Sequence, residues 1–326
     1  MLQIPIFGIE RRRSGTETGS DQMSEQILDL TLDGLTVKWD PGERVLYFGS
    51  ETEAIKPDIR YLEDMQEVLY SGDDGADTGN GDDSGGGKSV EKTERGQEPR
   101  RELYFMFRDL HLPEHRALFR EKGVRYDITV IAPGTIGREY VKTAGHYHPL
   151  KPGTEYTYPE VYEVLYGEAH YLFQKPVELN NPEKGLEEVF IVAAGPGDKV
   201  LIPSGFGHVT INPGSGFLVM SNLVADNFAS VYEPLREMGG AGYCQLCDPA
   251  DDRKPCFVTN PCYSPDLPLY FSHPARFPSL LPAKNLSQYH AFVADPQEFA
   301  YLTFPEKYQE EFAEYLEALK KAPKNK

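Results

Sequence analysis

The chain is poor in cysteine and in basic residues, and it has no long apolar run. Four cysteines among 326 residues, all between positions 244 and 262, exclude a disulfide framework spread through the fold. Lys and Arg number 33 against 51 Asp and Glu, a formal charge of -18 that argues against nucleic acid and membranes as partners. No stretch has the length of a membrane-spanning helix, and Met1 to Phe7 lack the charged start and long apolar core of a signal peptide. These absences predict a soluble, cytoplasmic protein. No repeat period is present. From Gly72 to Gly87 there is no large apolar side chain to offset the cost of ordering, so an unstructured insertion is expected there. Its aspartates lack the spacing and the final Glu of a calcium loop.

What is present is strand pattern. Alternating or continuously apolar runs at 124–131, 161–174, 188–194, 198–203 and 217–224, separated by Gly and Pro turns, predict an all-β barrel. Leu30–Leu32, Leu35–Trp39 and Val45–Phe48 also read as strands, and these are expected to extend the barrel's sheets. A last helix is predicted from Pro305 to Lys321, with Tyr308, Phe312, Tyr315, Leu316 and Leu319 on one face. The expected organisation is an N-terminal arm with accessory strands over 1–70, the insertion over 71–101, a barrel over 102–232 and a C-terminal extension over 233–326.

Four residues carry the chemistry. His146 and His148, one residue apart in an extended segment, project to the same side. Glu160 opens a strand closed by Gly167, and His208 follows a glycine turn. Imidazoles with a carboxylate suit a borderline divalent ion, and the mix points to an open, catalytic site. His111, His115, His170, His273 and His290 stand alone and are read as ordinary packed or surface histidines. The cysteines, Cys244, Cys247, Cys256 and Cys262, suggest either a structural zinc or four half-buried thiols.

Gly197, Pro203, Gly205, His208 and Asn212 match Gly-x5-Pro-x-Gly-x2-His-x3-Asn, and His146, His148, Glu160 and Gly167 supply most of its companion motif. In these residues the chain resembles the cupin superfamily. Eleven residues separate His148 from Glu160, an enlarged loop that makes Glu155 the alternative carboxylate; the distance to Gly167 favours Glu160. The stretch from Thr129 to His148, with Pro133-Gly134, Gly137-x-Glu139, Thr143-x-Gly145 and the histidine pair, resembles the cupin-type glucose-6-phosphate isomerases of archaea and bacteria. Arg60 to Met65 and Glu160 to Tyr162 add to the likeness.

The resemblance implies a mainly β jelly-roll barrel, a homodimer, and one divalent metal per subunit on His146, His148, Glu160 and His208. Iron is the first expectation, with zinc, nickel and manganese as alternatives. It also implies that Thr129, Thr143, the Gly145 amide and Tyr232 hold a sugar phosphate, with Tyr104 and Tyr162 lining the sugar. Glu160 is the candidate base for moving a proton between C2 and C1 through a cis-enediol; a metal-assisted hydride shift stays open. Another sugar-phosphate isomerase, acting on mannose 6-phosphate, or a metal-bearing sugar-binding cupin are the competing readings.

Overall fold

Large apolar side chains at alternate positions, broken by glycine turns, build two facing sheets in the computed structural model, which describes residues 4–5, 26–71, 100–179, 181–248, 251–264, 267 and 269–321. The segment from Gly72 to Gly87 lies outside these residues. The larger barrel sheet is ordered Lys199–Ile202, Glu160–Tyr166, Leu218–Ala225, Val124–Ile131, Glu102–Phe107 and Asp58–Tyr61. The facing sheet is ordered Gly207–Ile211, Ala169–Pro176, Leu186–Ala194 and Leu269–Ser272. Val164, Phe173 and Phe190 are fully buried in the core they share, while Val161 and Leu223 are fully buried on the opposite face of the larger sheet. Each fully buried Phe of this kind stabilises the fold by roughly 1.5–3 kcal/mol. The architecture is mainly β, two facing sheets that form a jelly-roll barrel, with a helix at its C-terminal end. Among the described residues no helix is long and apolar enough to cross a membrane.

Several elements differ from expectation for identifiable reasons. The run 161–174 is two strands in different sheets, because the chain reverses at Gly167 with a φ of +82°. A Cβ there would lie 2.6 Å from the Phe217 carbonyl oxygen, so only glycine allows this turn. Leu28–Asp29, Val37–Asp40, Val45–Phe48 and Ala54–Ile55 form a sheet of their own instead of lengthening the barrel. That sheet packs through Trp39, whose ring lies 5.1 Å from Phe105 and 5.9 Å from Phe107. The expected last helix is a 3-10 turn, Pro305–Lys307, followed by the α-helix Gln309–Lys321, which buries Phe312, Tyr315 and Leu319.

The C-terminal segment is woven into the barrel. Leu269–Ser272 pairs in parallel with Leu186–Ala194, and the Tyr315 hydroxyl accepts from the Leu201 amide at 3.2 Å. On the outer face of the larger sheet, Lys199 donates to Glu163 at 3.0 Å and Glu163 accepts from the Gln288 amide at 2.7 Å. Both side chains are about 97% buried or more, at 2% and 3% exposure, covered by the segment around Ala283 to Gln288.

Of the two readings of the four cysteines, a structural zinc or half-buried thiols, the zinc finds no ligand cage among the described residues. Cys244 and Cys256 share one face of the Tyr243–Asp248 and Asp251–Thr259 hairpin with Leu246 and Val258. Cys247, three residues from Cys244, falls on the opposite face, and Cys262 is exposed beyond the hairpin. An odd spacing within a strand always separates side chains in this way.

His170 is the structural histidine expected, its Nδ1 within 2.7 Å of Gln245 Oε1. Burial pushes its pKa down to about 4. Because the folded value lies below the unfolded one, the unfolded chain takes up the proton first. Stability present above about pH 6.5 is therefore lost as pH falls towards 4, by roughly 3 kcal/mol for this group. Urea unfolding at pH 6.5 and 4.5 should show a smaller pH dependence in His170→Asn than in the wild type.

Candidate metal centre

The first two histidines sit on an extended segment outside the regular strands, held against Gly207–Ile211. His146 N donates to His208 O at 3.1 Å, and His208 N donates to His146 O at 3.0 Å. Gly145 makes this approach feasible. It has a φ of +75°, and a Cβ would come within 2.4 Å of the Val209 side chain and 3.0 Å of the His208 carbonyl oxygen. Tyr147 points the other way, where its hydroxyl accepts from Gln174 at 2.8 Å.

His146, His148, Glu160 and His208 present one ligand atom each within 4.8 Å of one another. Nε2 of His146 and Nε2 of His148 are 3.1 Å apart, and Glu160 Oε2 stands 3.3 Å from His148 Nε2 and 3.2 Å from His208 Nε2. Metal bonds of about 2.1 Å place neighbouring ligands roughly 3.0–3.4 Å apart, so these separations fit one shared cation. The Tyr158 carbonyl lies 2.7 Å from His148 Nδ1, which must carry the proton because a carbonyl only accepts. His148 Nε2 is thereby left as a lone pair facing the centre. Glu160 Oε2 is buried and, among the described residues, has no well-aligned hydrogen-bond partner. A cation would satisfy both. Glu155, by contrast, is exposed on the loop.

Burial pushes the His146 imidazole well below its ordinary range, and the neighbouring His208 and His148 add to this. Burial alone would raise the Glu160 carboxyl, but His148 and His208 beside it hold it well below the usual carboxylate range. Neutral imidazoles and an ionised carboxylate are the states that bind a metal. Tyr162, two residues along the same strand, lies with its hydroxyl 3.0 Å from His208 Nε2. Burial, then the Glu160 charge, drives its phenol well above the ordinary range, so it stays protonated.

Beside this group lies a cavity of about 80 Å³. His146, His208 and Tyr162 line one part of it, and Thr129, Thr143, Gly145, Tyr104 and Tyr232 are among the residues that line the remainder. The structure thus brings every residue expected at the site into one neighbourhood, with His148 and Glu160 adjoining the cavity through His146 and His208. Thr143 Oγ1 accepts from the Thr210 amide at 3.0 Å, and Tyr104 OH accepts from the Ala144 amide at 3.3 Å. Sequence reasoning missed Arg125, Asp127 and Asn222, which line the same cavity. Their strand pattern carries only an inside-or-outside signal, and which inward residues become neighbours depends on register between strands.

Residues 91–255, half of the chain, match the model of a family described as Glucose-6-phosphate isomerase (GPI). The chain is 28% identical over 120 residues to the glucose-6-phosphate isomerase of Thermococcus gammatolerans, covering 37% of this chain and 56% of that protein. The glucose-6-phosphate isomerase of Thermococcus litoralis is 29% identical over the same shares. The match thus spans about half the length of these relatives. Among solved structures, oxalate oxidase in complex with the substrate analogue glycolate superposes with a TM-score of 0.29 at 20% identity, covering 40% of this chain and 56% of that one. The oxalate decarboxylase formate complex from Lactobacillus farciminis gives 0.27 at 16% identity, covering 39% of this chain and 30% of that one.

Proposed function

Since the chain belongs to the glucose-6-phosphate isomerase family, we propose that it interconverts glucose 6-phosphate and fructose 6-phosphate with one divalent metal on His146, His148, Glu160 and His208. The observation that carries this reading is the single cavity that joins two of the metal-group histidines to Thr129, Thr143 and Gly145. Three neutral imidazoles and one carboxylate leave a divalent ion with net positive charge, which suits an oxygen-rich, anionic substrate in an otherwise acidic protein. Such an ion supplies Lewis acidity towards a carbonyl and its neighbouring hydroxyl.

The chain's own residues have distinct tasks. The hydroxyls of Thr129 and Thr143 and the Gly145 amide hold the phosphate, in a cavity that Arg108 and Arg125 also line. Thr143 can still donate its hydroxyl proton while it accepts from Thr210. Glu160 is the ionised carboxylate and Tyr162 the protonated phenol, two opposite proton states side by side. That pairing suits a reaction that takes a proton from one carbon and returns it to the next, with Glu160 as base and Tyr162 donating to a substrate oxygen.

The test is conversion of fructose 6-phosphate to glucose 6-phosphate before chelation, after it, and after readdition of iron, zinc, nickel or manganese. Chelator-sensitive, metal-restored turnover supports the reading; no turnover with any of the four metals rejects it. In an active preparation, Thr143→Val should raise KM about tenfold and leave kcat nearly unchanged, because it weakens binding of a group remote from the reacting carbons.

A further inference from the structure

Between the metal group and the phosphate-side threonines, the larger sheet sets a row of polar side chains of which only Tyr162 has a part in the proposed reaction. Register places Tyr162 beside Asn222 and Asn222 beside Asp127 on three neighbouring strands. Along the same strands, Glu160, Val224 and Arg125 form the next row on one side, and Val164, Met220 and Thr129 the next on the other. Two residues of strand advance roughly 6.6 Å, so the Asn222–Asp127 row sits midway between the two anchoring ends.

Asn222 is 4% exposed and lines the cavity, and its amide takes no hydrogen-bond partner among the described residues. Asp127, 6% exposed, accepts from Arg125 Nε at 2.8 Å through Oδ2 and from the Asp109 amide at 2.9 Å through Oδ1. Arg125 uses only Nε in this pair, and its terminal nitrogens have no hydrogen-bond partner among the described residues. The amide, a carboxylate with spare lone pairs and a guanidinium with spare donors all line the cavity and are open to a bound molecule. A hydroxyl both donates and accepts, so a set that holds donors and acceptors together matches a polyhydroxy chain.

We propose that Asn222 and the Asp127–Arg125 pair recognise the hydroxyls in the middle of the sugar chain, and so select a polyhydroxy phosphate over a bare one. The assignment rests on the sugar-phosphate reading above. It makes these three residues specificity determinants, separate from the metal ligands and from the phosphate contacts.

Fructose 6-phosphate and inorganic phosphate separate the two kinds of contact. Calorimetric binding of each to metal-stripped protein, where no turnover interferes, is compared for the wild type, Asn222→Ala and Asp127→Asn, alongside KM and metal content of the loaded proteins. Each variant should bind fructose 6-phosphate about tenfold more weakly, with inorganic phosphate affinity within about twofold and metal content unchanged. Thr143→Val should weaken both ligands. Unchanged fructose 6-phosphate affinity in Asn222→Ala and Asp127→Asn, or an equal loss for both ligands, overturns the assignment while wild-type isomerisation keeps the functional reading intact. A wild type that binds inorganic phosphate and neither binds nor isomerises fructose 6-phosphate removes both.

Discussion

His208→Ala is expected to lose bound metal and turnover together, with turnover at least roughly a hundredfold lower. His208 presents Nε2 to Glu160 Oε2 at 3.2 Å, and its backbone pairs with His146 in both directions. Removing the ring takes away one ligand of four and leaves the backbone pairing in place, so the barrel should keep its fold. The carboxylate of Glu160 then loses one of the two neighbours that hold it ionised. Elemental analysis of the purified variant, read beside its initial rate and its unfolding midpoint, separates loss of the ion from loss of the fold. His273→Ala, on an exposed residue, is the control and should change none of the three. Full metal content and full rate in His208→Ala would mean that the coordination set is wrongly assigned.

The second large effect concerns stability. Glu163→Ala should destabilise the protein by about 3–5 kcal/mol, because it strands Lys199 as a buried charge. Glu163 faces away from Glu160 and Tyr162 on the same strand, so the change leaves the metal side of the sheet untouched. The Lys199 ammonium would keep only the carbonyls of Gly197, Ala283 and Lys284, at 3.2–3.4 Å. The Gln288 amide would lose its acceptor as well. Removing both charges is milder than removing one. The double variant Glu163→Gln, Lys199→Met should therefore recover much of the loss, as urea unfolding of the single and double variants would measure. Equal destabilisation in the two would show that the pair is not the source of the effect.

The sequence made the barrel and the ligand group legible because both depend on short-range spacing. Alternation marks a strand, a gap of one residue puts His146 and His148 on one side, and the glycines at 145, 167, 197 and 205 mark places where the backbone takes a left-handed turn. What was not legible depends on partners remote in the chain. Asn222 and Asp127 look like any polar residue interrupting an apolar strand until register sets them beside Tyr162. Glu163 looks like a solvent-facing glutamate on the polar side of its strand; it is buried because the segment that ends at Gln288, 125 positions later, covers that face. The hairpin cysteines are a different case. Cys244 and Cys247 are an odd number of residues apart, and once the segment is a strand, that spacing already divides them between two faces.

The C-terminal weave also bears on how the chain is made. The Tyr289 hydroxyl accepts from the Leu112 amide 177 residues away, and its ring lies 5.1 Å from Tyr126 and 5.5 Å from Phe48. Leu186–Ala194 has no partner on its outer edge until Leu269–Ser272 arrives. On a ribosome adding about 5–20 residues per second, the strands up to Ala225 emerge several seconds before the residues that complete them. Throughout that interval the nascent barrel presents an open strand edge and uncovered aromatic rings, the surfaces through which one chain pairs wrongly with another. A pause in translation between Ala225 and Leu269 would lengthen that exposure.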